Sequence, residues 1–384
     1  MKKRILVFGP IGDYGGRELE VGFIAETLAI KYEVDVCSSG TFTTKSQLFK
    51  FNKNQKSFSL NNLLCDCFLI IKLLSIISYL KNYRKGEVIS NFANNSLAKK
   101  YFGYNEKRIR ILRKLVTEYD LIFICAQLSS NLMNEIIRIS RENNKKVLFR
   151  TTGEIKGSNF SFIKDVDCYV HHSMSNANKL ADTKFYEIID QSAFEEYNLL
   201  SIPFSESEIK KFLILSRLST EKGIEQVIGY FLKVSSKSDI LYIAGDGVLK
   251  KQLEDKYKDY LNIIFIGFVK SSDISNLFQT IDCLIIGSSE ESGPLVGIES
   301  MCAGKIIIST KVGAMQERLE NTLNDYFYNY DDFESFKEVF FKVKSLNISQ
   351  VRTISLNLKE NYRKKYSQNI VRKKYIDLVN KILE

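Results

Sequence analysis

Short runs of apolar and β-branched residues recur along the chain and alternate with longer stretches of helical periodicity. In the first half the runs are RILVFG (4–9), YEVDVCS (32–38), DLIFICA (120–126), KKVLFRT (145–151) and DCYVHH (167–172). In the second half they are KKFLILS (210–216), DILYIAG (239–245), NIIFIGF (262–268), DCLIIGS (282–288) and KIIIST (305–310). Nearly continuous apolar strands joined by helices are typical of parallel sheets covered on both faces. The alternation therefore predicts an α/β fold with doubly wound sheets.

The pattern restarts after LLSIPFSESEIK (199–210), which contains one of only three prolines in the 384 residues. A chain of this length can form two domains, each with its own core. We predict Rossmann-like domains over 1–203 and 204–360, facing each other across a cleft, and a C-terminal helix over 361–384 that packs back on the first domain. Ligands of such sheets bind at the carboxyl ends of the strands.

Composition narrows the function classes. The seven cysteines lie singly or as Cys65-x-Cys67, several inside apolar runs, which is typical of buried thiols in a reducing cytosol. With two histidines in the chain, we expect no histidine-based metal site. The net charge of +10 suits phosphate-bearing ligands or an anionic membrane surface. Its lysines and arginines are scattered and match no nucleic-acid motif, so we expect no nucleic-acid partner.

The longest apolar stretch, LLCDCFLIIKLLSIISYL (63–80), is interrupted by Asp66 and Lys72, which argues against a membrane-spanning helix. We favour a core helix of the first domain. The alternative is a helix that lies on a membrane, with Lys81, Arg84 and Lys85 contacting anionic headgroups.

Four segments of the second half each follow a predicted strand at the same edge of the same sheet, and they carry candidate ligand-binding groups. In LSRLSTEKG (215–223), Arg217 and Lys222 could converge on a diphosphate or be solvated surface charges. In IAGDG (243–247), Gly245 would let the backbone approach a ligand closely. In IGFV (266–269), Val269 could border a flat base or belong to the core edge.

The segment EESGPLVGIES (290–300) holds two glutamates on either side of a Gly-Pro break. A helix starting after Pro294 would present the N–H groups of Leu295, Val296 and Gly297 to an anion. Glu299 could accept hydrogen bonds from vicinal hydroxyls such as those of a ribose, and Glu291 could bind a second sugar. Alternatively, either glutamate could simply interact with the helix dipole.

Taken in order and spacing, LSRLSTEKG, IAGDG, FIGFV and EESGPLVGIESMCAGKIIISTKVGAMQE resemble the retaining glycosyltransferases of family 4, which have the two-Rossmann GT-B fold. EESGPLVGIE matches the Glu-x7-Glu signature of that family. The resemblance is strong over roughly 210–320 and weaker before it. In the first half, GPIGDYGGRELEVGFIAETLA (9–29) matches the glycine-rich loop after the first strand, and VDCYVHHSMSNANKLA (166–181) matches the segment before the interdomain connection.

The resemblance implies a set of roles. Arg217 and Lys222 would hold the diphosphate and Glu291 the donor sugar, and we take these three as the catalytic residues. Glu299 would bind the ribose and Val269 would lie near the base. The remaining donor-binding residues would be Gly15, Gly16, Gly245, Pro294, Leu295 and Val296. The co-substrate would be a nucleoside diphosphate sugar, with a UDP-sugar favoured, and the reaction would need neither another cofactor nor a bound metal.

One departure from the family concerns the reacting centre. Many members place a histidine at the end of the fourth strand of the first domain, whereas this chain reads FRTTGE, with Thr151 and Thr152 at or near that position. Either Thr152 and Arg150 make the substrate contacts, or His171 and His172 supply an imidazole from the neighbouring strand.

These observations indicate a cytosolic, membrane-associated bacterial glycosyltransferase. It would transfer a hexose-type sugar to a hydroxyl of a glycan or glycolipid acceptor, such as a lipid-linked glycan for a surface polysaccharide. Two alternatives remain at this point. One is a sugar-nucleotide epimerase of the same fold, and the other is a non-catalytic partner subunit that binds donor or glycan.

Overall fold

A computed structural model of the chain describes residues 2–51, 53–82, 87–153, 155–157, 159–180, 183, 185–204 and 208–384. The chain divides into two compact units. The first unit comprises Met1–His171, Ala177–Ile189 and Arg372–Glu384. The second unit comprises His172–Asn176 and Asp190–Val371.

The first unit contains a seven-stranded parallel sheet of order β3-β2-β1-β4-β5-β6-β7. The central strands β1, β4 and β5 are almost entirely buried, as their continuous apolar sequences predict. The strands are β1 (Arg4–Gly9), β2 (Glu33–Ser38), β3 (Ser57–Ser59), β4 (Leu121–Ala126), β5 (Lys146–Thr151), β6 (Cys168–His171) and β7 (Tyr186–Ile188).

Helices connect these strands. They are α1 (Gly16–Ala29), α2 (Leu60–Cys67), α3 (Leu69–Asn82), α4 (Ser96–Tyr101), α5 (Tyr104–Thr117), α6 (Met133–Glu142) and α7 (Met174–Asn178), with 3-10 turns at Gln47–Lys50, Ile89–Phe92 and Ile163–Asp165. The core formed under α5 and α6 joins Ile122 and Phe149 of the sheet to Ile136. A smaller cluster under α2 and α3 contains Leu64, Ile71 and Tyr104.

The second unit contains a six-stranded parallel sheet of order β10-β9-β8-β11-β12-β13. The strands are β8 (Lys211–Leu215), β9 (Ile240–Ala244), β10 (Ile263–Gly267), β11 (Cys283–Ile286), β12 (Ile306–Thr310) and β13 (Phe327–Tyr328). The helices are α8 (Glu196–Leu200), α9 (Ile224–Val234), α10 (Lys250–Tyr257), α11 (Ile274–Thr280), α12 (Leu295–Ala303), α13 (Met315–Leu319), α14 (Phe333–Lys344) and α15 (Ile348–Lys365). The last helix, α16 (Gln368–Leu383), begins in the second unit and belongs to the first unit from Arg372 onward.

The predicted α/β fold with two doubly wound sheets is confirmed, and each predicted strand run contains a strand of the structure. The prediction missed β3, β7 and β13, which are two or three residues long and lie at sheet edges. Strands this short show no readable alternation of apolar and polar residues.

The C-terminal helix is present, but it begins at Gln368 rather than at 361, because α15 ends at Lys365 and a short break follows. Residues 372–384 of this segment belong to the first unit. There Arg372 forms an ion pair with Glu26, and the Tyr375 ring packs edge-on against Phe123.

The prediction of one core helix over 63–80 is wrong. The chain bends by 115° between α2 and α3, and only Ile71 and Ser75 of α3 are buried. Within the described part of the chain, we find no single helix long and apolar enough to cross a membrane, although α2 and α3 taken together meet that length and composition. Arg84 and Lys85, expected to flank this segment, lie outside the described residues.

Lys305, which precedes β12, gives the second unit a testable dependence on pH. Burial lowers the pKa of its ammonium to about 8, although Asp282 opposes this shift. Since an unfolded lysine titrates near 10.4, the unfolded state binds more protons than the folded state between about pH 8 and 10. The stability of the second unit should therefore rise with pH through that window.

We expect Lys305→Met to raise the free energy of unfolding at pH 7 by about 2–3 kcal/mol, because the variant no longer buries a charge. The rise in stability above pH 8 should also disappear. Urea unfolding at several pH values measures both effects, with Lys251→Met, at an exposed lysine of α10, as the matched control. Equal pH dependence in the wild type and Lys305→Met would contradict the assignment.

Candidate functional site

Loops from neighbouring strands of the second unit meet at the carboxyl edge of its sheet. The Leu218 amide donates to the Asp246 carbonyl at 2.9 Å, joining the loop after β8 to the loop after β9. The Ser289 amide donates to the Glu221 carbonyl at 2.9 Å, joining the loop after β8 to the loop after β11. The predicted clustering of these segments at one edge of the sheet is therefore what the structure shows.

Two glycines permit this close approach. A Cβ atom on Gly245, whose φ is 137°, would lie 1.8 Å from the Ser216 carbonyl oxygen. A Cβ atom on Gly223, whose φ is 62°, would lie 2.1 Å from the Gly287 carbonyl oxygen. Both positions exclude any side chain, since real Cβ atoms do not come so close. Gly245 is thus required by the neighbouring loop, and its contact with a ligand stays a prediction.

The approach of the loops brings Lys222 and Glu291 into direct contact. The Lys222 ammonium forms an ion pair with Glu291 Oε1 across 69 residues of sequence. The two side chains are 16% and 20% exposed, so solvent or a ligand can still reach them. Arg217 is exposed at the same edge, and its guanidinium makes no hydrogen bond or ion pair with the residues that the structure describes. Two cations and one carboxylate thus lie on joined loops.

The helix α12 begins directly after the Gly-Pro break, with Pro294 as its N-cap. The amides of Leu295 and Val296 occupy the first turn, where helix geometry supplies no intrahelical acceptor. The expectation for Gly297 is wrong in part, because its amide donates to the Pro294 carbonyl at 3.0 Å and is not available to an anion. Glu299 is buried one turn into the helix.

Val269, expected near a base, is partly buried and packs against the core of the second unit just beyond β10. This position agrees with the core-edge interpretation of the IGFV segment. A contact with a ligand base is compatible with its remaining exposure and stays a prediction.

A buried ion pair supports the start of α12. Arg318 donates from Nε and Nη2 to the two carboxylate oxygens of Asp190, each at 2.7 Å, and from Nη1 to the Pro294 carbonyl. Both side chains are buried, and the planar guanidinium matches the carboxylate in the bidentate geometry that arginine favours. Arg318 therefore holds the N-cap residue of α12 in place.

The same carboxylate interacts with His172, whose Nδ1 lies 3.4 Å from Asp190 Oδ1. Burial acts to raise the pKa of Asp190, but the Arg318 guanidinium outweighs it and His172 assists, so the pKa lies well below its usual range. Asp190 is therefore ionised at all ordinary pH values.

Residues of the 172–176 segment contact the signature loop as well. The Asn176 side-chain amide donates to the Ser292 carbonyl at 2.9 Å, and the Ala314 amide donates to the same oxygen at 2.8 Å. The Glu317 carboxylate accepts hydrogen bonds from the amides of Met174 and Ser175, each at 2.9 Å. The two bonds to the Ser292 carbonyl hold the backbone that leads from Glu291 to Pro294, and the Glu317 bonds join the 172–176 segment to α13.

In the first unit, the glycine-rich loop after β1 is held by its own contacts. The Gly15 amide donates to Gln47 Oε1 and the Gly12 amide to Glu18 Oε1, both at 2.9 Å. Gly15 has a φ of 142°, and a Cβ atom there would lie 2.7 Å from the Glu18 carboxylate. The Gly15 amide is therefore occupied, whereas Gly16 opens α1. Their contact with donor phosphate stays a prediction.

The expected reacting-centre residues of the first unit are buried. Arg150 is fully buried and pairs with Glu20, its Nε atom donating at 2.8 Å. A substrate contact by Arg150 would require this pair to open. The Thr151 hydroxyl lies 2.9 Å from His171 Nδ1, and the His171 ring stacks on Tyr169. The Thr152 hydroxyl is buried and has no hydrogen-bond partner among the described atoms.

Sequence reasoning missed Asp190 and Arg318. They are separated by 128 residues, and each sits in an unremarkable local context. Arg318 follows directly on the AMQE segment that carried part of the family resemblance, but nothing in the sequence pairs it with Asp190. Arg318 lies among polar residues in AMQERLENT (314–322), so its local sequence gives no signal of burial.

Comparison with known proteins agrees with the resemblance. Residues 201–365 match the family described as Glycosyl transferases group 1. The segment includes the four loops, the start of α12 and Arg318. This part of the chain therefore carries the domain of that glycosyltransferase family.

Two curated relatives match only part of this chain. An uncharacterized glycosyltransferase of Methanocaldococcus jannaschii is 30% identical over 123 residues, which is 30% of this chain and 30% of the relative. N-acetyl-alpha-D-glucosaminyl L-malate synthase of Bacillus anthracis is 26% identical over 238 residues, which is 54% of this chain and 59% of the relative. The chain thus matches less than two thirds of the length of either relative.

Among solved structures, Anabaena HepE in complex with UDP-glucose superimposes with a TM-score of 0.73 at 14% sequence identity, covering 98% of this chain and 99% of that protein. The superposition establishes the fold, which is the predicted two-Rossmann GT-B fold, and an identity of 14% establishes nothing beyond the fold.

The buried pair of Asp190 and Arg318 generates a prediction for stability. Asp190→Asn should destabilise the second unit by about 3 kcal/mol at neutral pH, because it leaves the Arg318 charge buried without a counter-charge. A carboxyl with a lowered pKa stabilises the fold above the unfolded value of about 3.9 and loses this effect as the pH falls further. The difference between wild type and variant should therefore shrink below about pH 4.

Urea unfolding at neutral and acidic pH measures this difference, with Asp255→Asn, at an exposed aspartate of α10, as the control. A loss of stability no larger than that of the control would show that the pair does not hold the unit together.

Proposed function

We propose that this protein is a retaining glycosyltransferase that moves a hexose-type sugar from a UDP-sugar to an acceptor hydroxyl without a bound metal. The single observation that carries the proposal is the contact of Lys222 with Glu291 on joined loops beside the start of α12. Support also comes from the family match over 201–365 and from the UDP-glucose bound by the structurally similar HepE.

The proposed donor site uses charges of both signs. Arg217, Lys222 and the amides of Leu295 and Val296 offer positive charge and N–H donors to a diphosphate. Glu291 and Glu299 offer acceptors for sugar hydroxyls, Glu291 on the donor sugar and Glu299 on the ribose. In the structure Lys222 and Glu291 neutralise each other. Donor binding would replace this pair, with Lys222 turning to the diphosphate and Glu291 to the sugar.

The chemical step requires stabilisation of the leaving group. As the acceptor oxygen bonds to the anomeric carbon, the bond from that carbon to the diphosphate oxygen breaks and its electron pair leaves with the nucleotide. The hydroxyl proton passes to the departing phosphate oxygen. Fixed cations aimed at the developing charge lower the barrier, which is the contribution we assign to Arg217 and Lys222.

For the acceptor we propose a glycan or glycolipid hydroxyl, in the synthesis of a bacterial surface polysaccharide on the cytosolic side of the membrane. The resemblance to family 4 supports this assignment. In the first unit the groups available for positioning an acceptor are the buried Thr152 hydroxyl, which has no hydrogen-bond partner among the described residues, and the Thr151–His171 pair.

Purified protein incubated separately with UDP-, GDP- and ADP-sugars tests the proposal. We expect slow hydrolysis of a UDP-sugar and faster turnover with a crude lipid acceptor. The sugar in the product should keep the anomeric configuration that it has in the donor. Activity should persist in EDTA, since Arg217 and Lys222 carry the leaving-group role. An isomerised sugar nucleotide would instead identify an epimerase, and no turnover with any donor would identify a non-catalytic subunit.

Lys222→Ala should reduce kcat by roughly tenfold to a hundredfold, because the departing diphosphate loses a charge-assisted contact of about 1.5–3 kcal/mol. Lys237→Ala is the matched control, since Lys237 is exposed before β9 at the amino end of the strands. Steady-state kinetics with a UDP-sugar compares the two. Near-wild-type kcat in a folded Lys222→Ala variant would remove Lys222 from the site.

A further inference from the structure

Helix α3 exposes a row of large apolar side chains to solvent, whereas a core helix buries such a row. Its outward face carries Leu69, Leu73, Ile77 and Leu80, whose side chains are 70%, 46%, 50% and 73% exposed. Spacings of four and three residues align these side chains along one face of the helix. We call them the α3 stripe. At 1.5 Å per residue the stripe is about 16 Å long.

The buried face of the same helix is less apolar. It contains Ile71 and Ser75, and the Ser75 hydroxyl donates to the Ile71 carbonyl at 2.7 Å and lies 3.7 Å from Cys65 Sγ. A helix selected only to cover a core would place serine outward and leucine inward. Packing within the first unit therefore does not account for the α3 stripe, and an exposed apolar row of this kind marks an interaction surface.

Positive charge is concentrated around the α3 stripe. The described residues of 60–82 and 87–117, which span α2 to α5, contain nine lysines and arginines against three acidic residues, a net charge of +6. The net charge is thus concentrated in this segment because acidic residues are few here, although basic residues occur along the whole chain. Helical geometry places Lys72 and Lys81, both exposed, on the two sides of the stripe, where their alkyl chains can lie along it.

We propose that the α3 stripe docks onto an anionic phospholipid surface, with its leucines and isoleucine in the acyl region and its flanking lysines at the headgroups. An anionic bilayer presents negative charge directly above an apolar layer, which is the arrangement that this face complements. A second copy of the chain fits poorly, because the described part of this segment carries a net charge of +6 and two such segments would repel each other. A nucleic acid offers no layer for aliphatic side chains.

This inference is independent of sugar transfer, because docking requires neither the donor site nor turnover. It also differs from the membrane-surface helix over 63–80 considered in the sequence analysis, because docking through the α3 stripe does not need Arg84 and Lys85. Helix α3, which carries the stripe, lies wholly in the first unit.

Flotation of the full chain with vesicles tests the proposal. We expect binding to vesicles of phosphatidylcholine mixed with phosphatidylglycerol, weaker binding to phosphatidylcholine alone, and weakening by salt. The double variant Leu73→Ser, Ile77→Ser should lower the partition coefficient by about tenfold or more, because two side chains no longer enter the acyl region. Lys72→Glu with Lys81→Glu should weaken binding to the anionic vesicles selectively.

The controls change exposed residues of the second unit: Val248→Ser with Leu261→Ser for the apolar pair, and Lys237→Glu with Lys251→Glu for the charged pair. Both should bind vesicles as the wild type does. Thermal unfolding of each variant verifies that it is folded.

Because the chain contains no tryptophan, the fluorescence of a single introduced tryptophan reports directly on contact with lipid. Leu73→Trp should show a blue-shifted emission with anionic vesicles and quenching by brominated lipid, whereas Leu261→Trp should show neither. The proposal would be overturned if the folded protein did not bind vesicles, or if the substitutions in the α3 stripe left vesicle binding unchanged. A monomer–dimer equilibrium abolished by Leu73→Ser with Ile77→Ser would instead assign the stripe to a second copy.

Discussion

The second unit depends on how closely its backbone loops approach at the carboxyl edge of the sheet. Parallel strands β8, β9 and β11 all end at this edge, and the loops that leave them touch through carbonyl oxygens. Gly223 and Gly245 make this possible, since neither position has room for a Cβ atom. The consequence is that Lys222 and Glu291 form one ion pair although they are far apart in sequence.

Buried charge pairs then keep these loops in place. Arg318 connects Asp190 to the carbonyl of Pro294, so the first residue before α12 is fixed by two side chains from elsewhere in the second unit. In the first unit, Arg150 and Glu20 form a comparable pair between β5 and α1. Such pairs contribute little net stability compared with apolar packing, but breaking one leaves a buried charge uncompensated. They therefore favour one geometry of the loops over others.

The charges of the chain lie in two different kinds of surroundings. At the edge of the second sheet, Arg217 and Lys222 lie beside carboxylates, an arrangement suited to a ligand that carries both phosphate and hydroxyl groups. Around α3 the positive charge has few acidic neighbours and surrounds leucine and isoleucine, an arrangement suited to a surface that is both anionic and apolar. The net charge of +10 by itself did not distinguish these uses.

Much of the fold could be predicted from sequence, because each central strand is a continuous apolar run and each glycine-rich loop follows one. The family resemblance predicted roles for Arg217, Lys222, Glu291 and Glu299 that stay predictions, and adjacency of parallel strands predicted that their loops would meet. The edge strands β3, β7 and β13 escaped prediction, since two or three residues have no periodicity.

What only the tertiary structure decided is which groups face one another and which face outward. The pairs Asp190–Arg318 and Arg150–Glu20, the occupied amide of Gly15, and the outward leucines of α3 depend on how residues distant in the chain pack together. Local patterns specify periodicity and turns, because these depend on neighbours in sequence. Partners in space are selected by packing, and the local sequence around a residue does not show which distant residue it packs against.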